Sequence, residues 1–306
     1  HLSTHLEEIG FTCGVGHPSV YHHRERGLLT LVHGDDYTTA GEPADLKWMR
    51  AELEKAYEIK TQVVGPDGDG TGKVLNRIIT YTGSGFELEA DPRHAEMIVE
   101  QLGVTGPGGV TTAGCQNEEP ESPEQEVKLE DGDVTSFRGV AARSMYLGPD
   151  RPEMLYASKE VCREMSEPSV GGLEKITRIA KFLHGRPRVV WEFPNQEKQT
   201  TIDVYVDANW AGCRRTRKST SGGCAMIGKH CIKAWSKTQS IIAKSSAESE
   251  LYGVIKGSSE ALGLATMARD FGEEMTVQVH VDATAAMGIV DGRGVSRVRH
   301  IECDNL

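Results

Sequence analysis

The sequence predicts an α/β protein whose C-terminal third folds as a mixed β-sheet with flanking helices. Two stretches, at 202–206 and 277–281, alternate apolar and polar side chains with the period of a strand. A helix with its own capping sequence begins near Ser245, between those two strands. A strand, a helix and a second strand in this order can pair the two strands in parallel through a crossover connection.

The first 103 residues indicate one mixed unit of strands and helices. LLTLVH predicts a strand that runs into the turn GDDYTTAG. Residues 43–59 predict an amphipathic helix with Pro43 near its first position. KVLNRIITYTGSGFELEAD predicts a hairpin around Gly83 and Gly85.

The rest of the chain divides by composition and periodicity. Residues 104–134 combine a Gly-rich start with an acidic run, which is typical of a flexible linker. Residues 135–197 are predicted to be helical, with LEKITRIAKFL placing apolar residues at helical spacing before Gly185. Residues 198–306 carry the β-β-β-α-β-α order of the predicted sheet.

Charge is distributed unevenly along the chain. The net charge is −11, yet residues 118–133 hold eight acids against one lysine, a local charge of −7. Residues 207–244 hold eight bases against one aspartate, a local charge of +7. A basic stretch of this kind suits a polyanionic partner. The negative net charge of the whole chain hides this local positive charge. The bases assigned to nucleic-acid contact are Arg214, Arg215, Arg217, Lys218, Lys237 and Lys244.

The cysteines and the hydropathy predict an intracellular setting without a membrane. Seven cysteines form no CxxC pair and are irregularly spaced, which favours a reducing environment over a disulfide framework or a zinc site. No apolar run is long enough to span a bilayer, and no signal peptide is apparent. The chain starts at His1 rather than Met, so we expect a fragment or a processed product.

Three acids stand at the ends of the predicted elements of the C-terminal sheet. Asp207 ends the first strand, Asp282 follows the later strand, and Glu250 lies in the first turns of the helix between them. Such carboxylates can converge to hold two divalent metal ions. Glu248 is the alternative to Glu250, but SSAE predicts a capping box in which Glu248 reaches back to the backbone of Ser245.

The motifs around these acids resemble the ribonuclease H domain of copia-type retrotransposon polyproteins. DANWAG stands at 207–212, KSTSG at 218–222, WSKTQ at 235–239, and SSAESELY at 245–252 with Leu251 where the family has an aromatic residue. The resemblance implies a ribonuclease-H-like fold and Mg²⁺- or Mn²⁺-dependent cleavage of the RNA strand in RNA–DNA hybrids. Asp207, Glu250 and Asp282 would then be the catalytic and metal-binding residues.

Upstream segments resemble other parts of the same polyprotein. LVHGDDYTTAG is similar to the reverse transcriptase palm motif and assigns Asp35 and Asp36 as metal ligands, and 135–197 resembles the thumb and connection region. Residues 1–103 would be the C-terminal half of a palm, so polymerase activity is not expected of this chain alone. The remainder of the polyprotein is an expected partner, in the cytoplasm, a virus-like particle or the nucleus.

Two alternatives remain open at this stage. The family's nuclease has a fourth acid in a later segment, for which Glu302 and Asp304 are weak substitutes, so the C-terminal domain is predicted to be truncated. A catalytically decayed nucleic-acid-binding module on the same fold is therefore the alternative function. Another nuclease or a transposase on this fold is a third hypothesis.

Overall fold

The computed structural model describes residues 2–114 and 127–292. The N-terminal elements are α1 (Leu2–Glu8), β1 (Thr12–Cys13), β2 (Val20–His23), β3 (Leu28–His33), β4 (Asp36–Ala40), α2 (Pro43–Glu54), β5 (Thr71–Val74), β6 (Arg77–Tyr81), β7 (Gly85–Glu89) and α3 (Pro92–Gln101). They are followed by α4 (Asp131–Leu147), α5 (Leu155–Cys162), α6 (Val170–Gly185), β8 (Val190–Pro194), β9 (Thr201–Asn209), β10 (Thr220–Ile227), β11 (His230–Thr238), α7 (Ser246–Asp270), β12 (Thr276–His280) and α8 (Thr284–Val290).

The first sheet pairs β1 to β4 in chain order as antiparallel strands. The strand predicted from LLTLVH is β3, and the GDD turn joins it to β4. Helix α2 ends at Glu54, before the predicted limit at residue 59, and buries Met49 and Leu53 against the sheet. Its apolar face therefore forms a core with α1, β2 and β3.

The second sheet has the order β5-β6-β7-β8 and is larger than the single hairpin that was predicted. The predicted turn near Gly83 joins β6 to β7, but a second turn joins β5 to β6. Leu75 and Asn76 occupy that turn with φ of 48° and 65°, the conformation that a two-residue hairpin requires. The sequence signal was weak there, since no glycine follows the asparagine. Strand β8 joins the sheet from far along the chain by pairing with β7.

Helices α3 to α6 form a separate core. Phe137, Val140, Ile176, Ile179 and Phe182 are among its fully buried side chains. The predicted face of α6 is buried, and the helix ends at Gly185. Helix α4 begins at Asp131, so the last residues assigned to the linker 104–134 are helical.

The third sheet has the order β11-β10-β9-β12 and contains the predicted parallel pair. Strands β9 and β12 are parallel, and His280 lies opposite Tyr205. Strands β10 and β11 continue the sheet on the other side of β9 as antiparallel partners. Helix α7 packs on the face formed by Ile202, Val204 and Val206. The opposite face of β9 carries Tyr205, Asp207 and Asn209, all of which are exposed.

The whole is a mixed α/β architecture, as the sequence predicts. None of the helices within 2–114 and 127–292 combines the length and apolar character needed to cross a bilayer. Most of the acidic run, with the substitutes Glu302 and Asp304, lies outside the described residues.

Candidate metal centre

The three acids of the C-terminal sheet meet at one point. Asp207 lies near the end of β9, Glu250 in the second turn of α7, and Asp282 just beyond the end of β12. One carboxylate oxygen from each lies within 4.8 Å of the other two. Among residues 2–114 and 127–292, no other group of three His, Cys, Asp or Glu side chains comes together in this way.

Strand pairing and helix packing explain this convergence. The parallel register sets His280 opposite Tyr205, so the chain two residues further along each strand reaches Asp282 and Asp207. Helix α7 supplies Glu250 from above the sheet because it lies very close to β9. A Cβ atom at Gly257 would come within 2.4 Å of Val206 Cγ1, so only glycine permits this approach.

Glu250 is the buried member of the group. Only 6% of it is exposed, whereas Asp207 and Asp282 are open to solvent. Burial raises the pKa of Glu250, and the charges of Asp207 and then Asp282 raise it further. A hydrogen bond from the Ala208 N–H, at 3.3 Å to Oε1, acts in the opposite direction. The same N–H donates to Asp207 Oδ1 at 2.9 Å, which ties the two carboxylates to one backbone group.

The second carboxylate oxygen of Glu250 has no donor. Within the described part of the chain, Glu250 Oε2 is buried and makes no hydrogen bond. A buried carboxylate oxygen without a donor, beside two other carboxylates, is costly unless a cation satisfies it. The donor set is all oxygen, which fits a hard divalent cation such as Mg²⁺ or Mn²⁺.

The neighbouring Glu248 has a structural partner. Ser245 is the N-cap of α7, and its Oγ accepts a hydrogen bond from the Glu248 N–H at 3.2 Å. The Glu248 carboxylate accepts from the N–H of Lys244 at 2.7 Å, so it reaches one residue beyond the Ser245 backbone that was predicted. The side chain is thus engaged in closing the helix N-terminus.

Asp35 and Asp36 were the other acids predicted to bind metal. They occupy the exposed tip of the β3–β4 hairpin, where Gly34 has a φ of +60° and His33 pairs with Asp36. Neither belongs to a group of three metal-ligating side chains within the residues that the structure describes. Their assignment as metal ligands remains a prediction.

The basic residues predicted to contact nucleic acid lie on the loop between β9 and β10 or beside it. Arg214, Arg215 and Arg217 are exposed and Lys218 is half-buried, while Lys237 and Lys244 are exposed beside the loop. Arg163, which directly follows α5, supports this loop by donating hydrogen bonds to Cys213 Sγ at 3.0 Å and Thr216 Oγ1 at 3.4 Å. Burial raises the pKa of the Cys213 thiol, but hydrogen bonds from Thr216 and from Arg163, together with the charge of Arg163, prevail and lower that pKa.

Two features of this surface were not predicted. Because Trp210 sits within a strand-and-turn pattern, the sequence predicts a core side chain there rather than a platform for base stacking. The core prediction is wrong, since 48% of Trp210 is exposed and its Nε1 donates to the Ala243 carbonyl at 3.1 Å. It follows β9 directly, where the chain turns away from the sheet. The second feature is a groove between α5 and the open face of the sheet, which no local pattern could indicate because its walls are distant in sequence.

The fold and the acid cluster define an α/β protein with a candidate divalent-metal centre. No protein-family model matches the chain. It is 30% identical, over 283 residues and 90% of its length, to the retrovirus-related Pol polyprotein from transposon RE1 of Arabidopsis thaliana, of which the match covers 18%. The corresponding polyprotein from transposon RE2 is 28% identical over 144 residues, which are 47% of this chain and 10% of the relative.

A third relative is the uncharacterized mitochondrial protein AtMg00810 of Arabidopsis thaliana. It is 29% identical over 120 residues, which are 39% of this chain and 49% of the relative. The chain thus spans less than half the length of each of these relatives. Together the matches relate it to retrotransposon Pol polyproteins.

Proposed function

We propose that the C-terminal sheet carries a copia-type ribonuclease H, which cleaves the RNA strand of RNA–DNA hybrids. The observation that supports this most strongly is the cluster of Asp207, Glu250 and Asp282, with one buried Glu250 oxygen left without a donor. The similarity to retrovirus-related Pol polyproteins from transposons agrees with the resemblance of the motifs around these acids to the ribonuclease H domain of such polyproteins.

The three carboxylates are the residues that would hold Mg²⁺ or Mn²⁺. A bound metal would neutralise charge at the phosphate and lower the pKa of a water that attacks phosphorus, so that the bond from phosphorus to the 3′ oxygen breaks and leaves a 5′ phosphate and a 3′ hydroxyl. Asp207 and Asp282 face solvent and so remain open to a phosphodiester, while Glu250 anchors the site from the helix. The Ala208 N–H holds Asp207 and Glu250 in a fixed relation.

The basic loop is proposed to hold the substrate backbone. Its arginines give bidentate contacts to phosphates, and its lysines act as point charges. These contacts carry no sequence information, so selectivity for the hybrid would rest on ribose hydroxyls and duplex shape. For residues 1–103 we propose a relationship to the palm of a reverse transcriptase, with the remainder of the polyprotein as the partner in polymerisation.

A strand-specific cleavage assay tests the proposal. Hybrids labelled on the RNA or on the DNA strand are incubated with Mg²⁺, Mn²⁺ or a chelator, with single-stranded RNA and duplex DNA as controls. We expect metal-dependent cuts in the RNA strand of the hybrid only. If the protein binds hybrid but cuts nothing with either metal, and a version extended through the segment that carries the family's fourth acid is also silent, the alternative of a catalytically decayed binding module is correct.

A further inference from the structure

The basic loop between β9 and β10 contains a tight turn at residues 213–218 that closes around Cys213. The Cys213 N–H donates to the Lys218 carbonyl at 3.2 Å, and the Arg217 N–H donates to the Cys213 carbonyl at 2.7 Å. The Thr216 N–H donates to the Cys213 sulfur at 3.4 Å. Cys213 is therefore buried inside the turn, while the three arginines of the turn are exposed.

This turn is unfavourable by itself. Residues 213–218 contain three arginines and one lysine but no acid, so their charges repel one another. Arg217 also has a φ of +56°, a left-handed conformation that residues other than glycine rarely adopt. Such a conformation persists only where the surrounding structure holds it. A partner outside the turn is therefore needed to stabilise it.

Arg163, at the end of α5, is such a partner. Its Nη2 donates hydrogen bonds to Cys213 Sγ at 3.0 Å and to Thr216 Oγ1 at 3.4 Å, the sulfur and the hydroxyl inside the turn. Its Nη1 donates to Glu160 Oε2 at 2.9 Å, one helical turn earlier in α5. The Glu160 carboxylate thus orients the guanidinium and balances its charge beneath the other arginines.

Helix α5 is itself fixed to the third sheet. Lys159 donates hydrogen bonds to Thr220 Oγ1 at 2.9 Å and to Thr238 Oγ1 at 3.3 Å, and its ammonium also pairs with Glu160. Thr220 begins β10 and Thr238 ends β11. The helix therefore contacts both the turn at 213–218 and the strand that follows it.

We propose that Arg163 is a positioning residue for nucleic-acid binding, which holds the turn at 213–218 in the conformation that presents its arginines to the substrate backbone. The inference rests on the proposed function, which assigns phosphate contact to this loop. A turn that is ordered before binding loses less conformational entropy when the nucleic acid binds. The nucleic-acid surface therefore depends on α5 as well as on the third sheet.

The test separates positioning from direct contact with phosphate. Arg163→Met removes the guanidinium that holds the turn. Arg138→Met is the matched control, because it removes the same charge from α4, where Arg138 donates to the carbonyls of Met165 and Ser166. Affinity for an RNA–DNA hybrid is measured with a chelator at several salt concentrations. Amide hydrogen exchange at 213–218 reports the order of the turn, and thermal unfolding shows whether each variant is folded.

For Arg163→Met we expect an affinity about 5- to 30-fold lower, the factor that corresponds to ordering the backbone of one further residue on binding. Exchange at 213–218 should become faster. The slope of affinity against salt should be unchanged, because the arginines of the turn still reach phosphates in the complex and release the same counterions. Arg138→Met should change neither affinity nor exchange.

Two results with Arg163→Met would overturn the inference. A slope flattened by about 0.7–0.9 would mean that Arg163 itself contacts a phosphate. An unchanged affinity would mean that the turn does not need this support.

A pair of variants at Cys213 decides the matter if Arg163→Met does not fold. Cys213→Ala removes the acceptor for Arg163 and should weaken binding and speed exchange in the same way. Cys213→Ser keeps an acceptor at nearly the same place and should retain most of the affinity. Equal affinities of these two variants would overturn the inference.

The outcomes also separate this inference from the nuclease proposal. If the wild type cuts the hybrid while Arg163→Met and Cys213→Ala bind it normally, the role of Arg163 is overturned and the nuclease remains. If the protein never cuts, even when extended through the segment that carries the family's fourth acid, the nuclease is overturned. Weaker binding by Arg163→Met with an unchanged salt slope would still support the positioning role in that case.

Discussion

At the residue scale, the buried carboxylate of Glu250 suits the proposed metal site but destabilises the metal-free protein. Its Oε2 lacks a donor in the described structure, and burial and its acidic neighbours raise its pKa above the ordinary 4.5. The folded state therefore holds a proton more strongly than the unfolded state does. Stability of the metal-free protein should fall as pH rises from about 4.5 through that raised pKa.

Glu250→Gln should stabilise the metal-free protein at neutral pH, because it removes this buried charge. Its unfolding temperature should exceed that of the wild type and lose the decline with pH above 4.5. Added Mn²⁺ should raise the unfolding temperature of the wild type but not of the variant. Calorimetry across pH, with and without metal, gives both results, and a less stable metal-free variant would contradict the account.

The residue scale also shows what sequence reasoning can reach. The acids were predictable because strand alternation placed Asp207 on the open face, and the capping sequence separated Glu248 from Glu250. The exposure of Trp210 was not predictable, since it depends on where the chain turns after β9 and on a hydrogen bond to the distant Ala243. Local sequence patterns predict which face of a strand a side chain occupies, but they do not predict the course of the chain beyond the end of the strand.

At the scale of elements, the position of α7 over β9 depends on one glycine. Gly257→Ala should push the helix away from Val206 and destabilise the fold by about 1–3 kcal/mol, as overpacking does. Gly263→Ala, on an open part of the same helix, should instead stabilise by about 0.5–1 kcal/mol. Denaturant unfolding of the two variants measures both effects, and equal effects would mean that the helix does not approach the sheet this closely.

The role of the loop between β9 and β10 is tested by the salt dependence of hybrid binding. Replacing Arg214, Arg215, Arg217 and Lys218 with alanine should weaken hybrid binding and flatten its salt dependence, by about 0.7–0.9 in the log–log slope for each lost phosphate contact. The matched control replaces four bases that are exposed on and just after α2, namely Lys47, Arg50, Lys55 and Lys60. If both quadruple variants change the slope equally, the loop contributes only net charge.

At the scale of the whole molecule, long-range pairings join segments that the sequence presents as separate. Strand β8 completes the second sheet from a position about one hundred residues beyond β7, and α5 docks on the third sheet through Lys159. Neither contact has a local signal, because each depends on surfaces formed by residues far apart in the chain. The order of elements in the third sheet was predictable, whereas these two long-range contacts were not.

A further long-range contact connects the first sheet to α7. The Asp270 carboxylate accepts hydrogen bonds from the N–H groups of Val15, Gly16 and His17, and His17 Nδ1 lies 3.0 Å from it. Burial works to raise the pKa of Asp270, but the hydrogen bonds from His17 and from the backbone prevail and lower it. The contact should therefore persist at neutral pH and weaken only as pH falls below the ordinary value of 3.8.

Asp270→Ala should break this contact, since three backbone N–H donors lose their acceptor. Amide hydrogen exchange at residues 15–17 should become faster at neutral pH, while exchange in β9 should be unchanged. Glu274→Ala, an exposed acid near the same helix end, is the control. Unchanged protection in Asp270→Ala would mean that the first sheet is held to α7 by other contacts.

The central claim is that Asp207, Glu250 and Asp282 form a metal centre that cleaves RNA. The most direct measurement compares wild type and Asp207→Asn for Mg²⁺-dependent cleavage of a labelled hybrid, with hybrid affinity measured in parallel. Asp207→Asn should lower the cleavage rate at least about 100-fold, because several kcal/mol of metal-dependent stabilisation are lost. Its affinity for the hybrid should be equal or higher, since one negative charge is removed and the basic loop is kept. Cleavage at the wild-type rate by Asp207→Asn would contradict the account.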